Sequence, residues 1–219
     1  MKTGDFIYID YVGRVKDTGE IFDLTIEEVA RKEGVFNPNI KYKPVPIVVD
    51  AGFVIKGLDE ALKEMKVGEK KTIEIPPEKA FGERDENLIR LIPLSLFKEK
   101  NIDSTPGSYV MINNIRGRII SNDGGRVKVD FNHPLAGKKL QYDVEIKKEI
   151  IDISEKIKAI IYYFSGIEFD EILVEIKGKI VEIKFDKKIS LNLNLESKIA
   201  DEIKKWIKDV EKVRFVSEY

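Results

Sequence analysis

The hydrophobic pattern of the first part of the chain favours strands around one short helix. Residues 6–15 are rich in aromatic and β-branched residues, and a turn-forming sequence then leads into Ile21-Phe22-Asp23, so a β-hairpin is predicted. Residues 24–33 predict a short helix that ends at Gly34. Apolar residues recur at helical spacing in residues 56–65, and residues 70–75 alternate as a strand that the following prolines end.

The hydrophobic pattern of the chain changes after residue 83. Near residue 128 it returns to the pattern seen in the first part of the chain. Between these points the chain has clustered leucines and isoleucines, and Asp123-Gly124 indicates a hairpin turn. The first pattern is predicted to resume at Val129-Asp130-Phe131 and to end with a strand over residues 140–146. Residues 84–127 are therefore predicted to form an inserted domain within a larger one, made of residues 1–83 and 128–150, and the ends of the insertion should lie close together.

Residues 151–219 predict a third unit, a C-terminal α+β domain. A helix has Ile157, Ile160, Ile161 and Phe164 on one face, strands flank Lys177-Gly178, and a second helix and a last strand follow. The alternation of residues 172–185 and of Leu191, Leu193 and Leu195 predicts an apolar edge strand. Such an edge could pair two chains in a homodimer or bind other polypeptides, and the alternative is a monomeric domain whose helices cover the sheet.

Composition excludes several classes of protein. The 219 residues contain 38 Lys+Arg against 39 Asp+Glu, a net charge of -1, which gives no general attraction to nucleic acids or anionic membranes. The chain has no cysteine and a single histidine, His133, so neither a thiolate nor a multi-histidine metal site is expected, and no cofactor is predicted. His133 precedes a proline and is interpreted as a turn residue. The N-terminus lacks the apolar stretch of a signal peptide, and a cytoplasmic protein is expected.

Two separated segments carry the strongest functional signal. They are Gly52-Phe53-Val54-Ile55-Lys56-Gly57-Leu58-Asp59-Glu60-Ala61-Leu62 and Pro76-Pro77-Glu78-Lys79-Ala80-Phe81-Gly82, and they follow Phe22-Asp23. The first is not a phosphate-binding loop, because Leu58 and Asp59 stand where such a loop has Lys and Ser or Thr. In order and spacing the segments resemble the FKBP-type peptidyl-prolyl isomerases. Residues 132–145, Asn-His-Pro-Leu-Ala-Gly-Lys-Lys-Leu-Gln-Tyr-Asp-Val-Glu, resemble the SlyD-type branch, including its archaeal members, in which a small domain interrupts the isomerase.

The resemblance implies a fold and a site. The expected class is α+β, an antiparallel half-barrel sheet wrapped on a short helix, with an inserted β-rich domain and the C-terminal domain. The Ile55 backbone N–H would hold a substrate carbonyl, and Asp23, hydrogen-bonded to Tyr11, would support the turning amide. The implied floor consists of Val54 and Ile55, and the implied walls are Leu58, Phe81, Tyr142, Phe22 and Tyr11.

Some positions depart from the family pattern. Leu58 replaces a common tryptophan, and Phe81 replaces a tyrosine whose hydroxyl binds substrate or drug, so a macrolide ligand is expected to bind weakly. The connection that contains Pro38, Pro44 and Pro46 is expected to form a flap beside the site. The aromatic residue of this flap that reaches the site is either Phe36 or Tyr42.

The predicted function is a peptidyl-prolyl cis-trans isomerase that also holds unfolded chains without ATP. Its partners would be unfolded or proline-containing polypeptides. The stretch from Leu88 to Phe97 has more apolar residues than a small domain easily buries, which favours a chaperone surface, although these residues could simply fill a core. The alternative function is a non-catalytic peptide-binding chaperone or scaffold.

Overall fold

The computed structural model of the protein describes residues 1–186 and 189–216, which divide into two compact units. The first unit is Met1–Ile75 together with the chain from Gln141 onward, and the second is Pro76–Leu140. None of the helices formed by the described residues combines the length and apolar character that crossing a bilayer requires.

The secondary structure of the described residues mixes strands and short helices. The strands are β1 (Phe6–Val15), β2 (Ile21–Leu24), β3 (Val45–Val48), β4 (Lys70–Ile75), β5 (Ile89–Pro93), β6 (Tyr109–Ile112), β7 (Ile115–Asp123), β8 (Arg126–Asp130), β9 (Leu140–Glu149), β10 (Ile172–Lys177), β11 (Ile180–Phe185) and β12 (Lys212–Val216). The α-helices are α1 (Glu27–Lys32), α2 (Lys56–Glu64), α3 (Leu94–Glu99), α4 (Ile153–Ser165) and α5 (Leu193–Trp206).

A five-stranded sheet forms one part of the first unit. Its order is β2-β1-β9-β4, and β3 pairs with the first half of β1 while β2 pairs with the second half. Both of these pairs are antiparallel, and the predicted α+β class is confirmed. The predicted helix of residues 24–33 begins later, at Glu27, because Leu24 still pairs with Val12.

Helix α2 packs tightly on this sheet because its second residue is glycine. A Cβ at Gly57 would overlap the side chain of Ile75 on β4, so glycine permits the close approach. The apolar face of α2 supplies Leu58 and Leu62 to the core, which also contains Ile75, Val144 and Ile146. The helix predicted for residues 56–65 is confirmed with a difference of one residue at its end.

The second unit contains an antiparallel sheet of order β5-β8-β7-β6, with a core built around Phe97 of α3. The predicted hairpin at Asp123-Gly124 is confirmed, and Gly124 and Gly125 have the positive φ angles of a two-residue turn. The prediction that the outer domain resumes at Val129 was wrong. Val129 lies in β8, which pairs with β5 and β7, so the strand completes the inserted sheet.

The two ends of the inserted sheet are joined by hydrogen bonds. The Asp85 N–H donates to Oδ1 of Asn132 over 2.9 Å, and the Asn132 side chain returns a bond of 2.9 Å to the Asp85 carbonyl. Arg84 and Asp130 form an ion pair beside them at 2.6 Å. The chain therefore enters and leaves the sheet at one place.

The C-terminal part of the first unit has a sheet of order β10-β11-β12, on which α4 and α5 pack. Strands β10 and β11 form the predicted hairpin, and β12 lies parallel to β11. The prediction that Leu191, Leu193 and Leu195 form an edge strand was wrong. Leu193 begins α5, because the Asn192 side chain accepts a 2.9 Å hydrogen bond from the Leu195 N–H and caps the helix.

Candidate active site

Three aromatic rings meet where β1, β2 and β9 run side by side. The ring of Tyr142 lies 5.7 Å from that of Phe22, edge to face, and 5.6 Å from that of Tyr11. Tyr142 exposes only 5% of its surface. Tyr11 and Tyr142 lie on the neighbouring strands β1 and β9. Phe22 joins them because a β-bulge leaves it without a partner in the register, in which Gly13 pairs with Asp23 and Arg14 with Ile21. These rings form an apolar wall of the kind predicted.

Asp23 is the polar member of this cluster, and it is hydrogen-bonded as the resemblance implies. The Tyr11 hydroxyl donates to Oδ2 of Asp23 over 2.6 Å. Burial, followed by the negative charge of Asp23, raises the pKa of Tyr11 above its ordinary value of 10.0. Burial and Asp23 likewise raise the pKa of Tyr142. Both phenols therefore stay neutral at ordinary pH, and Tyr11 remains a donor that fixes the carboxylate.

Gly13 permits the rings to approach each other. A Cβ at this position would lie 2.7 Å from Cζ of Phe22 and 3.2 Å from Cε1 of Tyr142, too close for any side chain. Gly13 lies inside β1 and pairs with Asp23 of β2. Sequence analysis missed its role, although a glycine within a strand pattern often marks a close approach.

The predicted floor residues Val54 and Ile55 lie at the start of α2, where both are half-buried. The Ile55 carbonyl accepts hydrogen bonds of 3.0 Å from the N–H groups of Leu58 and Asp59. Across residues 1–186 and 189–216, no protein group accepts a hydrogen bond from the Ile55 N–H. The first N–H groups of a helix have no partner within it, so this donor is available to a bound carbonyl.

Asp59 holds the loop that precedes this floor, a role that sequence analysis missed. Its carboxylate is buried and accepts hydrogen bonds from the N–H groups of Asp50 at 2.8 Å and Gly52 at 3.2 Å. Both loop residues have positive φ angles. Burial raises the pKa of Asp59, while the two backbone hydrogen bonds oppose the rise. The only indication of this role in the sequence was that Asp59 directly follows Leu58, an apolar position of the predicted helix.

Helix α4, the first helix of the C-terminal part of the chain, contacts the same loop. The Tyr163 ring stacks on that of Phe53 at 3.8 Å, and its hydroxyl donates a 3.3 Å hydrogen bond to the Gly52 carbonyl. Phe164 meets Phe53 edge to face at 5.9 Å. Phe53 directly precedes Val54, so the C-terminal domain supports the predicted floor.

The flap between α1 and β3 is also tied to the C-terminal domain. Lys41 and Lys43 both form ion pairs with Glu168, which follows α4. The two candidate flap aromatics, Phe36 and Tyr42, stack on each other at 5.6 Å. Contact of one of them with a substrate stays a prediction.

The remaining predicted wall residues are placed differently. Leu58 exposes 1% of its surface and belongs to the core beneath α2, so its contact with a substrate stays a prediction. Phe81 lies in the second unit, where its ring stacks on His133 at 4.3 Å. His133 is a turn residue as expected, because its Nδ1 accepts a hydrogen bond from the Leu135 N–H. The role of Phe81 in the site also stays a prediction.

The chemistry of this arrangement is binding without covalent change. Apolar rings and one fixed carboxylate can hold a peptide and favour a twisted amide, which has less charge separation than a planar one. The barrier to be lowered is about 20 kcal/mol and needs no nucleophile. The site thus has the character of a peptide-bond isomerase.

Comparisons with known proteins agree with this class. Residues 1–147 match the FKBP-type peptidyl-prolyl cis-trans isomerase family, and residues 153–219 match the family described as FKBP26_C-terminal. The short-type peptidyl-prolyl cis-trans isomerase of Methanocaldococcus jannaschii is 38% identical over 147 residues, which cover 67% of this chain and 92% of that relative. SlyD of Helicobacter pylori is 30% identical over 127 residues, or 55% of this chain and 69% of SlyD.

A third relative is the probable FKBP-type 16 kDa peptidyl-prolyl cis-trans isomerase of Pseudomonas fluorescens, 39% identical over 108 residues that cover 47% of this chain and 71% of the relative. The chain therefore belongs to the FKBP-type peptidyl-prolyl cis-trans isomerase family, and it is a peptidyl-prolyl cis-trans isomerase that acts on proline-containing polypeptides.

Proposed function

We propose that this isomerase works on folding polypeptides through the site described above and also holds unfolded chains on its inserted domain without ATP. The observation that carries the first part is the Tyr11–Asp23 hydrogen bond within the ring cluster of Phe22 and Tyr142. Val54 and Ile55 supply the floor, Leu58 supports it from the core, and Phe81 adds a further apolar wall.

The holding function is supported by the exposed surface of the inserted sheet. Leu91 and Met111 expose 60% and 59% of their surface, and Tyr109 exposes 47%. The core of this small domain instead consists of Phe97, Val110, Ile119, Val127 and Val129. The domain is therefore filled without these exposed residues, and apolar side chains left on a surface are available to other chains. The SlyD relative named above is an isomerase that is similar to this chain over 127 residues.

Substitutions in the ring cluster test the site. Tyr142→Ala and Phe81→Ala should each lower kcat/KM on a proline tetrapeptide by about tenfold or more, because each removes an aromatic wall. Asp23→Ala removes one hydrogen bond and should cost about threefold. A protease-coupled isomerisation assay measures these changes, with Tyr109→Ala on the inserted sheet as the control. If the folded Tyr142→Ala protein isomerises as fast as the parent chain, the assignment of the site is wrong.

We also propose that the C-terminal domain pairs two chains. Strand β10 is an edge of its sheet and exposes Leu173 and Ile176, which a second β10 would cover. Light scattering of the parent chain should give the mass of a dimer, and Leu173→Glu with Ile176→Glu should give a monomer. A monomeric parent chain at micromolar concentration contradicts the pairing.

Two further properties belong to this proposal. Phe81 lacks a phenolic hydroxyl, so a macrolide should bind weakly while catalysis persists. The absence of cysteine suits a reducing compartment such as the cytoplasm.

A further inference from the structure

The outer face of the inserted sheet carries charge as well as apolar side chains. We define this face by the residues that point away from the core around Phe97. In β8, Val127 and Val129 are buried in that core, so Lys128 between them points outward. Directly paired residues of antiparallel strands share a face. The pairing therefore places Leu91 opposite Lys128, Tyr109 opposite Arg118 and Met111 opposite Arg116.

Among the described residues, the cations of the outer face have no carboxylate partner. Within the part of the chain that the structure describes, no carboxylate oxygen lies within 4.0 Å of the charged nitrogens of Arg116, Arg118 or Lys128. Arg116 instead lies over the Tyr109 ring, 3.9 Å from its centre. The apolar and cationic side chains therefore alternate on one exposed surface.

The carboxylates on the same face do not neutralise these cations. Asp130 is paired in register with Arg118, but Arg84 holds its carboxylate at 2.6 Å and Asn132 donates two further hydrogen bonds to it. Although burial opposes it, these contacts hold the pKa of Asp130 below its ordinary range. Asp123 stands at the hairpin end, opposite Arg126. The centre of the face therefore keeps an excess of positive charge.

We propose that the outer face selects unfolded segments in which both carboxylate and aliphatic or aromatic side chains occur at every second position, so that the two kinds share one side of the extended segment. This inference rests on the proposed holding function and names its substrate class. An extended segment presents every second side chain to one side, and a mixed apolar and acidic series on that side matches the alternation of Leu91, Met111 and Tyr109 with the cations. Segments rich in Lys or Arg are rejected, because like charges would meet on a surface that has no free carboxylate at its centre.

A nucleic acid is the less suitable partner for this face. Single-stranded nucleic acids bind on several exposed aromatic rings that stack with successive bases. Tyr109 is the aromatic residue that the pairing places on this face, and Arg116 already covers its ring. The surface offers aliphatic side chains where a nucleic-acid platform has rings.

Binding of three labelled, proline-free peptides to the full chain tests the proposal. The peptides share their length and their Leu, Tyr and Ser positions. They carry Glu, Gln or Lys at every second position in turn with Leu or Tyr, so that the variable and apolar side chains share one side, while Ser occupies the other side. The Glu peptide should bind about tenfold more tightly than the Gln peptide in low salt, and the Lys peptide should bind most weakly. The triple variant Arg116→Gln, Arg118→Gln, Lys128→Gln should remove the preference for Glu while keeping the affinity for the Gln peptide.

A matched control removes the same charge elsewhere in the inserted domain. Arg90→Gln, Lys98→Gln, Lys100→Gln changes exposed cations outside the outer face, because Arg90 pairs with core-facing Val129 and the two lysines lie on and just after α3. This variant should keep the full preference for the Glu peptide.

Several outcomes would overturn the inference. Equal affinity for the Glu and Gln peptides, or a preference that survives in the first triple variant, removes the charge selection while leaving the holding function in place. Failure of all three peptides to bind removes the holding function itself. Tighter binding of an oligouridine of the same length than of the Glu peptide would assign the face to nucleic acid instead.

Discussion

At the scale of single residues, Gly13 explains how an aromatic wall forms between adjacent strands. The space that a side chain would fill at this position belongs to the Phe22 ring, with Tyr142 next to it. The site therefore depends on Gly13, which would affect a substrate only through the neighbouring rings of Phe22 and Tyr142.

We expect Gly13→Ala to lower kcat/KM on a proline tetrapeptide by about tenfold, because the new methyl group displaces the Phe22 ring. The control is Gly117→Ala on the inserted sheet, where a Cβ would lie 2.6 Å from the Val129 side chain. This control should destabilise the inserted domain and leave tetrapeptide activity within about twofold of the parent. Equal activities for the two variants in the protease-coupled assay would contradict the role of Gly13.

The sequence predicted the aromatic members of the site better than their supports. Tyr11, Phe22, Asp23 and Tyr142 lie together as the ordered pattern implies. Strand pairing brings Tyr11, Asp23 and Tyr142 together, and the β-bulge at Phe22 adds its ring. Asp59 could not be predicted, since its partners are backbone N–H groups of a loop whose conformation the sequence pattern does not specify. The supporting role of Phe53 could not be predicted for a similar reason, because its partner Tyr163 is more than a hundred residues away along the chain.

At the scale of secondary-structure elements, α4 links the C-terminal domain to the predicted floor. Its Tyr163 ring lies flat on Phe53, and its hydroxyl contacts the Gly52 carbonyl. The loop that begins α2 is thus held from one side by Asp59 and from the other by α4.

We expect Tyr163→Leu to lower kcat/KM by about threefold, because the stacked ring no longer fixes the residue before Val54. Phe185→Leu is the control, since it disturbs an aromatic pair with Phe215 inside the C-terminal sheet. Circular dichroism would verify that both variants fold. A Tyr163→Leu protein as active as the control in the tetrapeptide assay would show that α4 does not support the floor.

Elements were predicted well where one periodicity dominates and poorly where two compete. Helix α2 and strand β4 have clear periods and were predicted to within one residue. The leucines at 191, 193 and 195 fit a strand locally, but Leu195, Ile199 and Ile203 continue with helical spacing and Asn192 caps the helix. Strand β8 was divided between two domains, because its pattern suits either sheet and only its pairing with β5 and β7 decides.

At the scale of the whole molecule, the chain enters and leaves the inserted sheet at one place, so a short linker can replace the sheet. Asp85 and Asn132 bond to each other at its base, and the residues between them contain all of β5 to β8. We propose catalysis for one part of the chain and the holding of unfolded polypeptides for the other. A tethered second site raises the effective concentration of an unfolded chain near the first, while a tetrapeptide is too short to use it.

The most direct test joins Asp85 to Asn132 by a short glycine linker in place of residues 86–131 and measures two rates on the same folded preparation. Isomerisation of a proline tetrapeptide should stay within about twofold of the parent chain, because the ring cluster and the Ile55 donor are retained. Acceleration of the proline-limited refolding of an unfolded protein should fall by about tenfold or more, because the holding surface is gone. Refolding as fast as with the parent chain, at equal tetrapeptide activity, would contradict the division of function between the two parts.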